Sequence, residues 1–207
     1  MRIQITFTKQ GALRYTGHLD LHKLWERAAR RAGLPLAYSQ GFHPQPKMSI
    51  AAALPLGFSS RCEVLDMRLE WDIPFDGLRD KLQTTLPTGI QVLSIEQADE
   101  RGPALQTQVV SAEYEVHLTE SVDGSDLKRK VDSVMESESI LRTRRGKQYD
   151  LRPLILSLKY DEGKSPVIHM LLSAKEGATG RPEEVLDVLG IAFEGTRIER
   201  TRLNFLS

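Results

Sequence analysis

HLDLHKLWERAARRAGLPLAYSQGFHPQPKMSIAAALPLG, residues His18 to Gly57, joins an arginine-rich helical pattern directly to a loop dense in Gly, Pro, His, Tyr and Phe. Leu21, Leu24, Trp25, Ala28 and Ala32 recur at the spacing of one helical face, which predicts a helix over about Leu19 to Ala32. Gly33 and Pro35 stop it. Upstream, Ile3, Ile5 and Phe7 alternate with polar residues as in a half-buried strand, and Leu13 to Thr16 reads as a short element that extends or pairs with it. Downstream, strands are expected over Lys47 to Ala53 and Glu63 to Trp71. A helix opened by Pro74 carries Phe75, Leu78, Leu82 and Leu86, and a strand follows over Ile90 to Ile95. The order β-α-β-β-α-β is that of a ferredoxin-like unit.

A polar stretch with a Gly-Pro pair, residues 99–108, reads as a linker, and beyond it the pattern restarts. Tyr114, Val116 and Leu118 mark a strand, and Leu127, Val131, Val134 and Met135 a helix. Ile140 to Lys159 holds one or two strands turning near Arg145-Gly146. Val167 to Leu172 is a strand, Pro182 to Leu189 a helix closed by Gly190, and Thr196 to Phe205 the last element. The expected fold class is therefore α+β, with two tandem ferredoxin-like (βαββαβ) halves built on antiparallel sheets, 1–98 and 109–207.

The 207 residues balance 28 basic against 28 acidic side chains, but unevenly. Met1 to Cys62 holds nine Lys/Arg against two Asp/Glu, a local +7, and Glu63 to Glu100 holds three against nine, a local −6. A second basic cluster, Arg142, Arg144, Arg145, Lys147 and Arg152, lies in the second half. Local sign matters more to a nucleic-acid partner than the sum does. Cys62 is the lone cysteine, which excludes a disulfide framework and a thiolate metal cluster, and a buried, inert thiol is expected there. With no apolar run near the roughly 20 residues of a membrane span, and no signal-peptide pattern in MRIQITFTK, the chain reads as cytoplasmic, with no membrane partner.

Opposite the apolar stripe, Lys23, Arg27, Arg30 and Arg31 form a basic band suited to phosphates, although a solvated helix face looks the same on charge alone. The loop Tyr38 to Lys47 interleaves aromatic, amide and cationic side chains, the mixture that stacks and reads unpaired RNA bases. A tight turn whose Tyr38 and Phe42 plug the core is the alternative. The candidate RNA-binding set is Arg14, Arg27, Arg30, Arg31, Tyr38, Phe42, His43 and Lys47, continued by Arg142, Arg144, Arg145 and Arg152. His18 and His22 share a helical face but lack the glutamate of HExxH, so no metal site and no cofactor are expected, and Asp20 is a candidate helix cap. His18 and His43 are the candidate catalytic residues should the chain be a metal-independent RNA-cleaving or RNA-modifying enzyme.

G-x-L-R-Y-x-x-H-L-D (Gly11 to Asp20), R-x-x-R-R-A-x-L-P-x-x-Y-S-x-G-F-x-P-x-P-x-x-S (Arg27 to Ser49), L-P-L-G (Leu54 to Gly57), the pair Glu63 and Asp66, and Y-D-x-R-P-L (Tyr149 to Leu154) together resemble the bacterial radical-SAM-linked family of unknown function, domain of unknown function 2344. The resemblance implies a radical SAM protein as partner and an RNA, ribosomal or transfer, as the molecule presented to it. It implies no cofactor in this chain, whose lone cysteine cannot hold an iron–sulfur cluster. A protein-interaction module docking on the radical SAM protein is a further expectation of the same resemblance. At the level of fold, the tandem halves are also similar to CRISPR repeat-processing endoribonucleases.

Overall fold

Hydrophobic alternation in the first strand sets the frame. In β1 (Arg2–Lys9), Ile3, Ile5 and Phe7 are fully buried beneath the first helix, α1 (His18–Arg31). The computed structural model describes residues 1–120, 122–144, 146–163 and 165–206. It divides into two compact units, Met1–Gln108 and Val109–Ser207. The described residues form a mixed α+β fold with mostly antiparallel pairing and five α-helices. No helix among the described residues is long and apolar enough to cross a membrane.

In the first unit, α1 is followed by β2 (Met48–Ile50), β3 (Ser59–Arg68), α2 (Leu78–Gln83), β4 (Ile90–Gln97) and the short α3 (Leu105–Gln108). The strands run in the order β4-β1-β3-β2, every neighbour antiparallel, with Ile3 opposite Met67 and Met67 opposite Met48. Leu21, Trp25, Ala28, Ala29 and Ala32 form the buried face of α1, with Leu24 at its margin. The Trp25 ring meets Phe7 edge-on at 4.7 Å, a packing that suits the aromatic quadrupole. Arg2 is buried too: its guanidinium grips both Asp66 carboxylate oxygens and donates to the carbonyls of Asp99, Gly102 and Pro103 at 2.8–2.9 Å. Residues 99–103, expected as part of a linker, are thereby tied to β1.

Four local expectations are corrected. Leu13 to Thr16 is no strand: Gly11, at φ +61°, turns the chain out of β1 into a 3-10 turn over Gly11–Tyr15. The strand expected over Lys47 to Ala53 shortens to β2 because the chain bends at Ala51. The strand expected through Trp71 ends at Arg68, where Leu36 takes up Leu69 in an isolated bridge, leaving Trp71 exposed. The second helix begins at Leu78 rather than Pro74, because Gly77 sits in the left-handed region at φ +67°, and Phe75 stays at the surface.

The second unit runs β5 (Val109–Leu118), α4 (Gly124–Glu136), β6 (Leu141–Arg144), β7 (Lys147–Asp150), β8 (Ile155–Asp161), β9 (Val167–Lys175), β10 (Ala178–Thr179), α5 (Pro182–Leu189) and β11 (Thr196–Phe205). Its sheet order is β11-β5-β9-β8, again antiparallel throughout, with β10 on the end of β9 and β6-β7 a separate hairpin. Asp123 caps α4 through the amides of Ser125 and Asp126, and Pro182 and Gly190 bound α5 as their chemistry dictates. The expected turn residue Arg145 lies outside the described residues.

Candidate nucleic-acid interface

Helical geometry sorts the basic residues of α1 into two groups. Lys23, Arg27 and Arg31 follow one another at i, i+4 and i+8, whereas Arg30 stands about 100° around the axis from Arg31. The first three line a groove of about 590 Å³ between α1 and the turn after α2. Its apolar lining comes from Leu24, Leu86 and Pro87, with Thr16, Thr85 and one carboxylate, Asp20, completing it. Among the described residues, no ion pair or hydrogen bond engages the side chains of Lys23, Arg27 or Arg31, because the nearby Glu26 is taken by Arg30 at 2.8 Å.

Arg30 belongs to the other feature of this unit, the arm over residues 37–47. Tyr38 and Pro46 bridge, Ser39 N donates to Gln45 O at 2.8 Å, Lys47 N donates to Ala37 O at 2.8 Å, and Ala37 N donates to Arg68 O. The arm is thus a narrow extension of the sheet, turned at Gly41 with φ +126°, where a residue with a Cβ would be strained. Arg30 donates to the Tyr38 hydroxyl, and this contact is the main reason its basicity is raised. At the tip Gln40, Gly41, Phe42, His43 and Pro44 are all exposed, and Phe42 is as open as an isolated side chain at 101%. Tyr38 is half-buried, so of the two aromatics expected to plug the core only Tyr38 packs against it, and Phe42 does not. Lys47 is exposed at the base of the arm, beside a smaller cavity of about 320 Å³ that Arg68 also lines. Arg14, on the 3-10 turn, stacks over the exposed Tyr15 ring at 4.7 Å.

The histidines face elsewhere. His22 Nε2 lies 3.1 Å from the Met48 carbonyl, and no side chain caps the start of α1, so Asp20 is free to line the groove. Burial above all, with help from His22 and Lys9 and against Glu63, lowers the basicity of His18. His43 stands at the arm tip, and no described contact joins it to His18. Among the described residues, no three His, Cys, Asp or Glu side chains converge on a metal position. Cys62 is half-exposed rather than buried, its Sγ 3.7 Å from Ser60 Oγ.

Three of the candidate basic residues of the second unit, Arg142, Arg144 and Arg152, are engaged within it. Arg142 pairs with Asp187, and Arg144 Nε donates to Glu184 at 3.0 Å while its guanidinium lies over the Tyr149 ring at 4.8 Å. Arg152 donates to the carbonyls of Ile155 and Met135 at 2.9 and 2.8 Å. These arginines fasten β6, α5 and the end of α4. Arg145 is outside the described residues.

In structure the chain is similar to a chain of a Cbf5-Nop10-Gar1 complex, with a TM-score of 0.51, 11% identity and 97% of this chain covered against 48% of that one. An archaeal box H/ACA sRNP Nop10-Cbf5 complex follows with a TM-score of 0.46, 14% identity, and 98% and 48% coverage. The chain therefore spans about half the length of these solved relatives, and the likeness to the first is one of fold. No protein with a curated description matches the sequence. The model of one sequence family does match, over residues 2–182, so this chain belongs to the family described as uncharacterized protein conserved in bacteria, domain of unknown function 2344.

Proposed function

We propose that this protein binds RNA through the first unit and presents it to a radical SAM partner. The observation that carries the reading is the unneutralised row Lys23, Arg27 and Arg31 on the helix that also anchors, through Arg30, an arm ending in the fully exposed Phe42. Cations without internal partners release counterions when they meet phosphates, and an exposed ring offers a stacking face to an unpaired base. The sheet orders β4-β1-β3-β2 and β11-β5-β9-β8 support reading the two units as tandem ferredoxin-like halves.

The radical SAM partner comes from the family resemblance, and the single cysteine agrees with it: thiolates for an iron–sulfur cluster would come from outside these 207 residues. Such a partner and an RNA substrate imply action in the cytoplasm. Arg14, Lys47 and His43 extend the proposed contact surface, with Arg142, Arg144, Arg145 and Arg152 as a second, weaker set, since three of these are held in internal contacts.

The test is RNA crosslinking and sequencing on protein purified at low salt, with anisotropy titrations of the recovered RNA. Crosslinks within residues 38–47, and loss of binding in the folded Arg27→Glu/Arg31→Glu variant, are expected. Protein free of RNA, or unchanged affinity in that variant, overturns the reading.

A further inference from the structure

We propose that the groove between α1 and the turn after α2 is a binding site for a nucleoside phosphomonoester, either a free nucleotide or the phosphorylated end of an RNA strand. Its volume of about 590 Å³ falls in the range of small-molecule sites. Charge selects the ligand. Lys23, Arg27 and Arg31 contribute three positive charges and Asp20 one negative, which leaves the groove at +2. A phosphodiester carries about one negative charge and would leave this field half-compensated, whereas a phosphomonoester carries about −1.5 to −2 at neutral pH. Like charges at i, i+4 on a helix repel, and no described residue forms an ion pair with them, so a dianion gains by balancing the +2 that Asp20 leaves.

The remaining lining fits the rest of a nucleotide. Arg27 and Arg31 present planar forks for phosphate oxygens. Leu24, Leu86 and Pro87 give the sugar or base an apolar wall, and the Asp20 carboxylate can accept from a ribose hydroxyl or a base amino group. The Thr85 hydroxyl donates to the Ala28 and Leu82 carbonyls at 3.1 and 2.8 Å, so the wall opposite α1 is fastened to it before any ligand arrives. The RNA-end source rests on the RNA-binding role proposed above, and the free-nucleotide source does not.

The experiment titrates the full chain by calorimetry with AMP, UMP and adenosine. In parallel, anisotropy measures one RNA oligonucleotide carrying a 5′-phosphate, a 3′-phosphate or hydroxyls at both ends. Either AMP binds and adenosine binds about tenfold more weakly, or one phosphorylated end binds about tenfold tighter than the hydroxyl-ended strand, the loss of a single charge-assisted hydrogen bond. The preference disappears in Arg27→Gln/Arg31→Gln, whose circular dichroism is unchanged. AMP binding names the free nucleotide as a source, and an end preference without it names RNA. Oligonucleotides that bind equally whatever their ends, with no AMP binding, overturn the groove while leaving the RNA reading intact. AMP binding with no oligonucleotide bound keeps the groove and overturns the RNA reading.

Discussion

Arg30 on α1 holds Tyr38 on the arm: Nε and Nη2 donate to the phenolic oxygen at 3.0 and 2.8 Å, and the guanidinium carbon lies 5.7 Å from the ring centre. Two donors on one acceptor, with the ring beneath, fix the angle at which the arm leaves the sheet. Tyr38→Phe keeps the ring and removes the acceptor. Proteolysis within residues 40–44 should quicken and protection of the Ser39 and Lys47 amides should fall, while the thermal midpoint of the whole protein stays where it is. Hydrogen exchange read by mass spectrometry checks this, and unchanged protection would mean that the backbone ladder alone holds the arm.

Phe42 makes no packing contribution to lose. Phe42→Ala should therefore leave the unfolding curve unchanged and weaken binding of single-stranded RNA by about 1–3 kcal/mol, roughly fivefold to 150-fold, the value of one stacked base. Anisotropy with the recovered RNA measures it. A variant that binds as well as the parent would remove the arm tip from the interface.

Arg2 is the opposite case, a buried charge with every contact internal. Arg2→Met leaves Asp66 as an uncompensated buried carboxylate and frees the carbonyls of Asp99, Gly102 and Pro103. Breaking such a pair costs about 3–5 kcal/mol, which chemical denaturation followed by Trp25 fluorescence should register. The double variant Arg2→Met/Asp66→Leu should recover part of that loss, since no lone charge remains.

Acid should loosen the fastening of β6 to α5. Burial raises the pKa of Glu184, but hydrogen bonds from Arg144 and Tyr149 outweigh it and hold the carboxyl below its ordinary 4.5. A depressed carboxylate contributes stability above that value, and the contribution is lost as pH falls through the folded pKa. The difference in thermal midpoint between the parent and Glu184→Gln should be present at pH 7 and shrink below pH 4.5, levelling off once both states are protonated. A difference independent of pH would assign the effect to shape instead of charge.

Much of the framework is legible in local pattern. The alternation of Ile3, Ile5 and Phe7, the α1 stripe, and the Pro182 and Gly190 bounds of α5 each follow from periodicity or backbone chemistry within a few residues. The α2 start was hidden because Pro74 and the spacing of Phe75 pointed to an earlier turn, and only the left-handed Gly77 breaks it. In the candidate site, Lys23, Arg27 and Arg31 stand out in sequence and stay unpaired among the described residues. Arg142 and Arg144 stand out equally, yet their carboxylates, Asp187 and Glu184, lie 45 and 40 residues away. Local charge counting sees the cations and misses the distant partners. The separation of Arg30 from Arg31 required helical phase as well as spacing.

The reach of Arg2 also sets a timetable for synthesis. Its carbonyl partners are made 97 to 101 residues later, whereas β4 ends at Gln97. When only the four strands and two helices have been made, Asp66 is available to the guanidinium, whereas the carbonyls that its outer donors require are not. Closure waits for Asp99 to Pro103 to emerge, so the compact unit Met1–Gln108 completes the contacts of its buried arginine there rather than at the last residue of its sheet.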